Sequence, residues 1–237
     1  MMEFGRLFIV RHGQASFGSV NYDALSELGV TQARRLGAYW AGQGMIFGRN
    51  YVGPRLRHQQ TERAVAEAYQ AAGLPWPDPE PLPEFDEHQG SAVTRYVLDH
   101  AEAYGFDRAA FSQDGQITLQ GYLRAFRQVG RLWAMGQLVA PGFETWAAFR
   151  ARVESGLTRL TAAPSPSSSP TAVFASSGSL AACLGCVLEL NDERTLALSW
   201  VVYNTAYVEF MLSAENLALI AFNVAPHLTQ PQLLSLI

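Results

Sequence analysis

Four consecutive residues, Arg11-His12-Gly13-Gln14, set a guanidinium beside an imidazole and a glycine. A neutral imidazole can attack an electrophile or carry a proton near pH 7. An arginine grips an anion through a planar fork of donors, and a glycine lets backbone amides approach it. The set suits phosphate chemistry. Taken alone, three residues recur by chance, and they equally fit an imidazole buried under a loop. Arg55 and Arg57 offer further cations, and Glu84, Asp86 and Glu87 offer carboxyls that could move a proton. All 17 basic residues are arginine. Without lysine there is no P-loop lysine, no lysine Schiff base and no lysine general base, because arginine stays protonated.

The elements that must position these groups alternate. Residues 6–10 form a short apolar run ending in the Arg-His-Gly turn, which suits a buried strand. Ser26 caps an expected helix over 27–41, a strand is expected over 50–53, and a helix over 56–72. Helical patches at 96–104 and 118–135 lie in a segment, 92–142, that breaks the rhythm and is expected to be an inserted cap. A helix over 144–162 leads to a Pro- and Ser-rich loop at 164–170, then a strand over 171–175 and a turn at 176–179 opening a helix over 180–190. Runs at 206–212 and 217–222 are expected to pair as a hairpin. Strand and helix alternation favours an α/β fold with parallel strands, in which ligands sit at the carboxyl ends of the strands. The Arg-His-Gly turn is at such an end.

Composition narrows the partners. Hydrophobic residues make up 49% of the chain and charged residues 16%, a globular balance. A net charge of -4 leaves no global basic surface for nucleic acid. Apolar runs are too short for a membrane span, and the start is too short and wrongly flanked for a signal peptide, so a cytoplasmic location is expected. Cys183 and Cys186 form a CxxC in an apolar helical segment with no second ligand pair, which favours burial over a redox or metal role. No metal or other cofactor is expected.

After the first turn come Asp23-Ala24-Leu25-Ser26-Glu27-Leu28-Gly29, Gln32-Ala33, Gly53-Pro54-Arg55-Leu56-Arg57 and Gln60-Thr61. In order and spacing these resemble the histidine phosphatase superfamily, the group around cofactor-dependent phosphoglycerate mutase. The resemblance continues through Leu82-Pro83-Glu84, residues 144–153, Val173 to Gly178, Asn204 and the 223–228 segment, and misses the middle. It implies a three-layer α/β/α sandwich with a mostly parallel central sheet, a single domain over 1–237 with 92–142 as its cap. It further implies phosphate monoester hydrolysis through a phosphohistidine at His12, with Arg11, Arg57 and Gly13 holding the phosphoryl group and Glu84 as proton donor. Glu87 competes with Glu84 for that role. Mutase activity toward phosphoglycerate is not expected, because the middle does not resemble the mutase segments.

One position departs from the pattern. Most members carry a second catalytic histidine where Ser177 stands in Val173-Phe174-Ala175-Ser176-Ser177-Gly178-Ser179. Losing one preorganised donor costs on the order of 10²- to 10³-fold in comparable sites. His58 and His88 are the candidates to compensate; His100 and His227 fit structural roles better. The alternative function is therefore an impaired relative that binds a phosphorylated small molecule or phosphoprotein through Arg11 and Arg57. The aromatic middle, with Tyr96, Tyr104, Phe106, Phe111, Tyr122, Phe126 and Trp133, either contacts a ring-bearing leaving group or forms its own core. An exposed late strand pair or helix could build a homodimer.

Overall fold

The computed structural model describes residues 5–16, 23–162, 169–212 and 217–236. Of the Pro- and Ser-rich loop, residues 164–168 lie outside the described residues. The elements run β1 (Gly5–Arg11), α1 (Glu27–Gly42), β2 (Arg49–Val52), α2 (Leu56–Ala71), β3 (Pro79–Pro81), α3 (Gly90–Asp99), β4 (Ser112–Gln113), β5 (Gln116–Ile117), α4 (Leu119–Ala134), α5 (Trp146–Ala162), β6 (Thr171–Ala175), α6 (Ser177–Val187), α7 (Asp192–Ser199), β7 (Tyr207–Leu212) and β8 (Leu217–Val224).

Strand β1 explains the layering. Its successive side chains point to opposite faces, and both faces are apolar: Leu7 and Ile9 enter one core cluster, Phe8 and Val10 the other. Strand β6 divides the same way, with Val173 and Ala175 on one side and Ala172 and Phe174 on the other. A strand apolar on both faces must be covered on both. Leu36 and Trp40 of α1 and Val65 and Tyr69 of α2 cover one face, and Phe149 and Val153 of α5 with Leu180 and Leu184 of α6 cover the other. The result is an α/β/α sandwich around a six-stranded sheet of order β3-β2-β6-β1-β7-β8. Pairings from β3 to β1 are parallel, and β7 and β8 add antiparallel to that edge.

The segment between β3 and α5 packs inward. Val93 and Val97 of α3 and Val129 and Trp133 of α4 join the α5–α6 cluster, while Leu98, Phe111 and Ala125 form a small cluster of their own. Among the described residues no helix is long and apolar enough to cross a membrane.

Several elements differ from expectation. Strand β3 has proline at both ends, a composition confined to sheet edges because proline cannot donate to a ladder, and it is an edge strand. Helix α6 begins at Ser177 rather than 180, with Ser176 extended as its N-cap, so the Ser-Gly-Ser stretch is the first helical turn. Helix α7 was not anticipated, although Asn191 caps it by accepting from the Arg194 amide and Asp192 and Glu193 favour its first turn.

Candidate functional site

His12 leaves the carboxyl end of β1, its amide bonded to Ala175 O of β6 at 2.9 Å. The imidazole is 7% exposed. Its Nδ1 lies 2.6 Å from Gly13 O. A carbonyl only accepts, so Nδ1 carries the proton and Nε2 presents a lone pair. Burial pushes the His12 pKa well below its ordinary value, and Arg57, Arg11 and His58 lower it further. The ring is therefore neutral and nucleophilic at pH 7.

The turn is braced from below. Gly13 N donates to Thr61 Oγ1 at 3.0 Å, and Gln14 N to Gln32 Oε1 at 2.9 Å. Ser26 caps α1 by accepting from Gly29 N at 3.1 Å and donates to Gln14 Oε1 at 2.9 Å, which ties helix to turn. Such a cap contributes about 1 kcal/mol. A Cβ on Gly13 would run into the carbonyl of Gly29, so glycine is required here by close backbone approach.

Two guanidiniums flank the imidazole. Arg11 donates through Nη1 to Val202 O and through Nη2 to Leu236 O at 2.8 Å. Arg57, in the first turn of α2, donates to Asp23 Oδ1 at 2.5 Å and to Ser176 Oγ at 3.4 Å. Asp23 also accepts from Leu56 N at 2.9 Å, so one carboxylate caps α2 and aims Arg57. His58, fully buried, lies 2.6 Å by Nε2 from Ser176 Oγ, with its ring centroid 5.7 Å from that of His12. Burial, Arg57 and Arg55 push its pKa well down, so it is neutral too. Because Ser176 Oγ accepts from Arg57, its hydroxyl proton is available to His58 Nε2. His58 thus supports Arg57 from beneath and is not among the cavity-lining residues.

The two candidate acids separate. Glu84 lies outside the cavity, its carboxylate 3.3 Å from Arg159 and its Cβ against Gly156 of α5. This corrects the expected placement. The 3-10 turn Pro83–Phe85 sends Phe85 fully into the core and leaves Glu84 facing α5. Glu87, three residues on, lines the cavity over Gly178, where a Cβ would collide with its Oε1. Burial alone would raise its pKa, but His88, Arg57, the His88 amide and Arg11 together hold it below the ordinary carboxylate value. Its loop is pinned: Ser179 Oγ donates to Phe85 O and Asp86 O, Arg152 donates to Glu84 O and Asp86 O, and Arg55 pairs with Asp86.

His88 is packed against Trp133, Trp146 and Phe149. Its Nδ1 accepts from Gly90 N at 3.0 Å, so in the neutral ring the proton sits on Nε2, which faces Glu87 Oε1 at 3.6 Å and the space before Gly178. Ser177 lines the same cavity at the N-terminal end of α6, where free backbone N–H groups and the helix dipole favour an anion.

Arg11, His12, Arg57, Glu87, His88 and Ser177 thus converge on one cavity of about 600 Å³. Its outer wall comes from α3, α4 and the end of α7. Asp23, Ser176 and Trp200 were not singled out in the sequence; Asp23 lay within a matched motif, but only the fold shows it aiming Arg57. Among the described residues no group of three or more His, Cys, Asp or Glu side chains is placed to hold a metal ion. Cys183 is buried and Cys186 half-buried, both unbridged, with burial raising both thiols.

Residues 7–95 match the model of the histidine phosphatase superfamily (branch 1). A comparison with curated proteins gives no match. Among solved structures, phosphoglycerate mutase from Bacillus anthracis is similar with a TM-score of 0.63 at 13% identity, covering 95% of this chain and 96% of that one. A protein described as mycobacterial hydrolase 1 gives 0.63 at 19%, covering 94% and 99%. Mycobacterial glucosyl-3-phosphoglycerate phosphatase gives 0.60 at 19%, covering 93% and 99%. At these identities the likeness speaks for the fold.

Proposed function

We propose that the chain, whose residues 7–95 match the model of the histidine phosphatase superfamily and whose fold resembles that of a phosphoglycerate mutase, belongs to that superfamily and hydrolyses a phosphate monoester through a phosphohistidine at His12. The observation that carries this reading is the imidazole itself: neutral, oriented by Gly13 O, and flanked by Arg57 and Arg11.

The His12 Nε2 lone pair attacks phosphorus while the bond to the leaving oxygen breaks. Arg11 and Arg57 hold the phosphoryl oxygens, spreading positive charge over a transition state that needs mainly positioning. Glu87 gives the leaving oxygen its proton. In the free site Glu87 is held ionised partly by Arg57 and Arg11. A bound phosphoryl dianion offsets those two cations and adds negative charge, so the carboxyl takes up a proton more readily in the complex. Water then attacks the phosphohistidine, Glu87 takes its proton back, the N–P bond breaks, and inorganic phosphate leaves with His12 restored. The donor lost at Ser177 is replaced by His88 Nε2–H together with the amides opening α6. No metal is required, because the guanidiniums supply the charge. The substrate is a phosphorylated small molecule or phosphoprotein, met in the cytoplasm.

Hydrolysis of 4-nitrophenyl phosphate from pH 4 to 8 with chelator present tests this. Turnover that resists chelator and disappears in His12→Ala is expected. Absence of turnover, with inorganic phosphate still raising the melting temperature, would sink the enzyme and leave a phosphoryl-binding protein.

A further inference from the structure

The outer half of the cavity carries two cations that the hydrolytic step does not use. Arg95 of α3 and Arg127 of α4 both line it, and among the described residues neither pairs with a carboxylate, whereas most arginines of the chain do. Among the described residues the lining holds two carboxylates, both engaged: Asp23 with Arg57 and Leu56 N, Glu87 beneath His88. Arg127 lies over the Trp200 ring, 5.8 Å from its centroid. Tyr122, Leu123 and Phe126 of α4 add an apolar wall. A volume of about 600 Å³ is within the range of roughly 300–1,000 Å³ that encloses a whole small molecule rather than a lone phosphate.

We infer that the substrate is a phosphate monoester whose leaving group is flat or apolar and ends in a second anionic group, a carboxylate or a second phosphate, held by Arg95 and Arg127. This rests on the phosphatase reading and narrows it. The phosphoryl end sits at Arg11 and Arg57 on the carboxyl end of the sheet, the body lies along Phe126 and Trp200, and the far anion reaches the arginines of α3 and α4. Guanidiniums suit either anion because their paired donors match carboxylate and phosphate oxygens alike.

A matched pair of esters isolates the far charge: 4-(carboxymethyl)phenyl phosphate and its methyl ester, which share a phosphoryl group and a similar leaving oxygen. The acid is expected to show kcat/KM higher by on the order of tenfold, through charge-assisted hydrogen bonds. That preference should shrink toward one in Arg95→Gln/Arg127→Gln and survive in part in Arg95→Lys/Arg127→Lys. Equal rates for acid and ester, or a preference untouched by the double glutamine variant, overturns the inference while leaving the phosphatase standing. If neither ester turns over, the phosphatase reading falls instead, and the corresponding benzylphosphonate pair decides the far site by calorimetry: tighter binding of the acid, lost in the glutamine variant, supports it, and equal binding refutes it. A bisphosphonate against its monophosphonate separates a phosphate from a carboxylate as the preferred far group.

Discussion

Replacing Glu87 by glutamine keeps its shape and removes its proton chemistry. Glu87 lines the cavity and touches the His88 amide; in its proposed role as proton donor to the leaving oxygen it is expected to contribute about 10²- to 10⁴-fold. That corresponds to about 3–5 kcal/mol of barrier at roughly 1.36 kcal/mol per factor of ten. The loss should be largest for an alkyl phosphate, whose leaving oxygen needs the proton, and smaller for 4-nitrophenyl phosphate, whose phenolate leaves unaided. Glu84→Gln is the control: its ion pair with Arg159 is part exposed and is worth less than about 1 kcal/mol, with no path to the cavity. Steady-state kcat on both substrates, with urea melts of both variants, gives the comparison. The stability sign is also fixed. The folded Glu87 pKa is lowered, so its ionised form stabilises the fold above the ordinary carboxylate pKa and that contribution is lost as pH falls through the folded value. Glu87→Gln should therefore flatten the acid limb of the stability curve. A Glu87→Gln enzyme that keeps its alkyl phosphatase rate, beside a Glu84→Gln enzyme that loses it, would refute the assignment.

Gly13→Ala puts a methyl into the Gly29 carbonyl, backbone against backbone; a loss of about 1–3 kcal/mol in chemical denaturation is expected, together with loss of turnover. His58→Ala empties a fully buried site and strips Ser176 of a partner; about 2–5 kcal/mol of stability should go, and KM should rise more than kcat falls because Arg57 loses a support. An unchanged KM would mean that Asp23 alone aims Arg57. His12, His58 and His227 all have lowered pKa values, that of His227 near 4. The unfolded chain therefore takes up protons first, and melting temperature should hold above about pH 6.5 and fall from there toward pH 4. A rise on acidification would show that these rings are charged and paired in the fold.

The parallel half of the sheet was legible because β1 and β6 are apolar on both faces, a pattern that only a doubly covered strand needs. Histidine 12 and the two arginines were legible because their neighbours follow a known order. The direction of Glu84 was not, since it depends on Phe85 filling the core and on the distant Gly156 of α5 leaving room for it. The partners of Ser176, His58 and Arg57, are 118 and 119 residues away, and nothing in a local pattern announces them. Strand β3 was hidden by its own prolines, and α7 by its shortness.

Arg11 ends β1, yet one of the carbonyls that hold its guanidinium belongs to Leu236, 225 residues further along the chain. Gln32 and Asn204 reach the same late segment, at Leu233 and Ser235. On a ribosome the strands and helices around the histidine can assemble while the arginine beside it still lacks that anchor. A chain cut short before Leu236 would therefore keep the imidazole in place beside an arginine that has lost one of its carbonyl anchors.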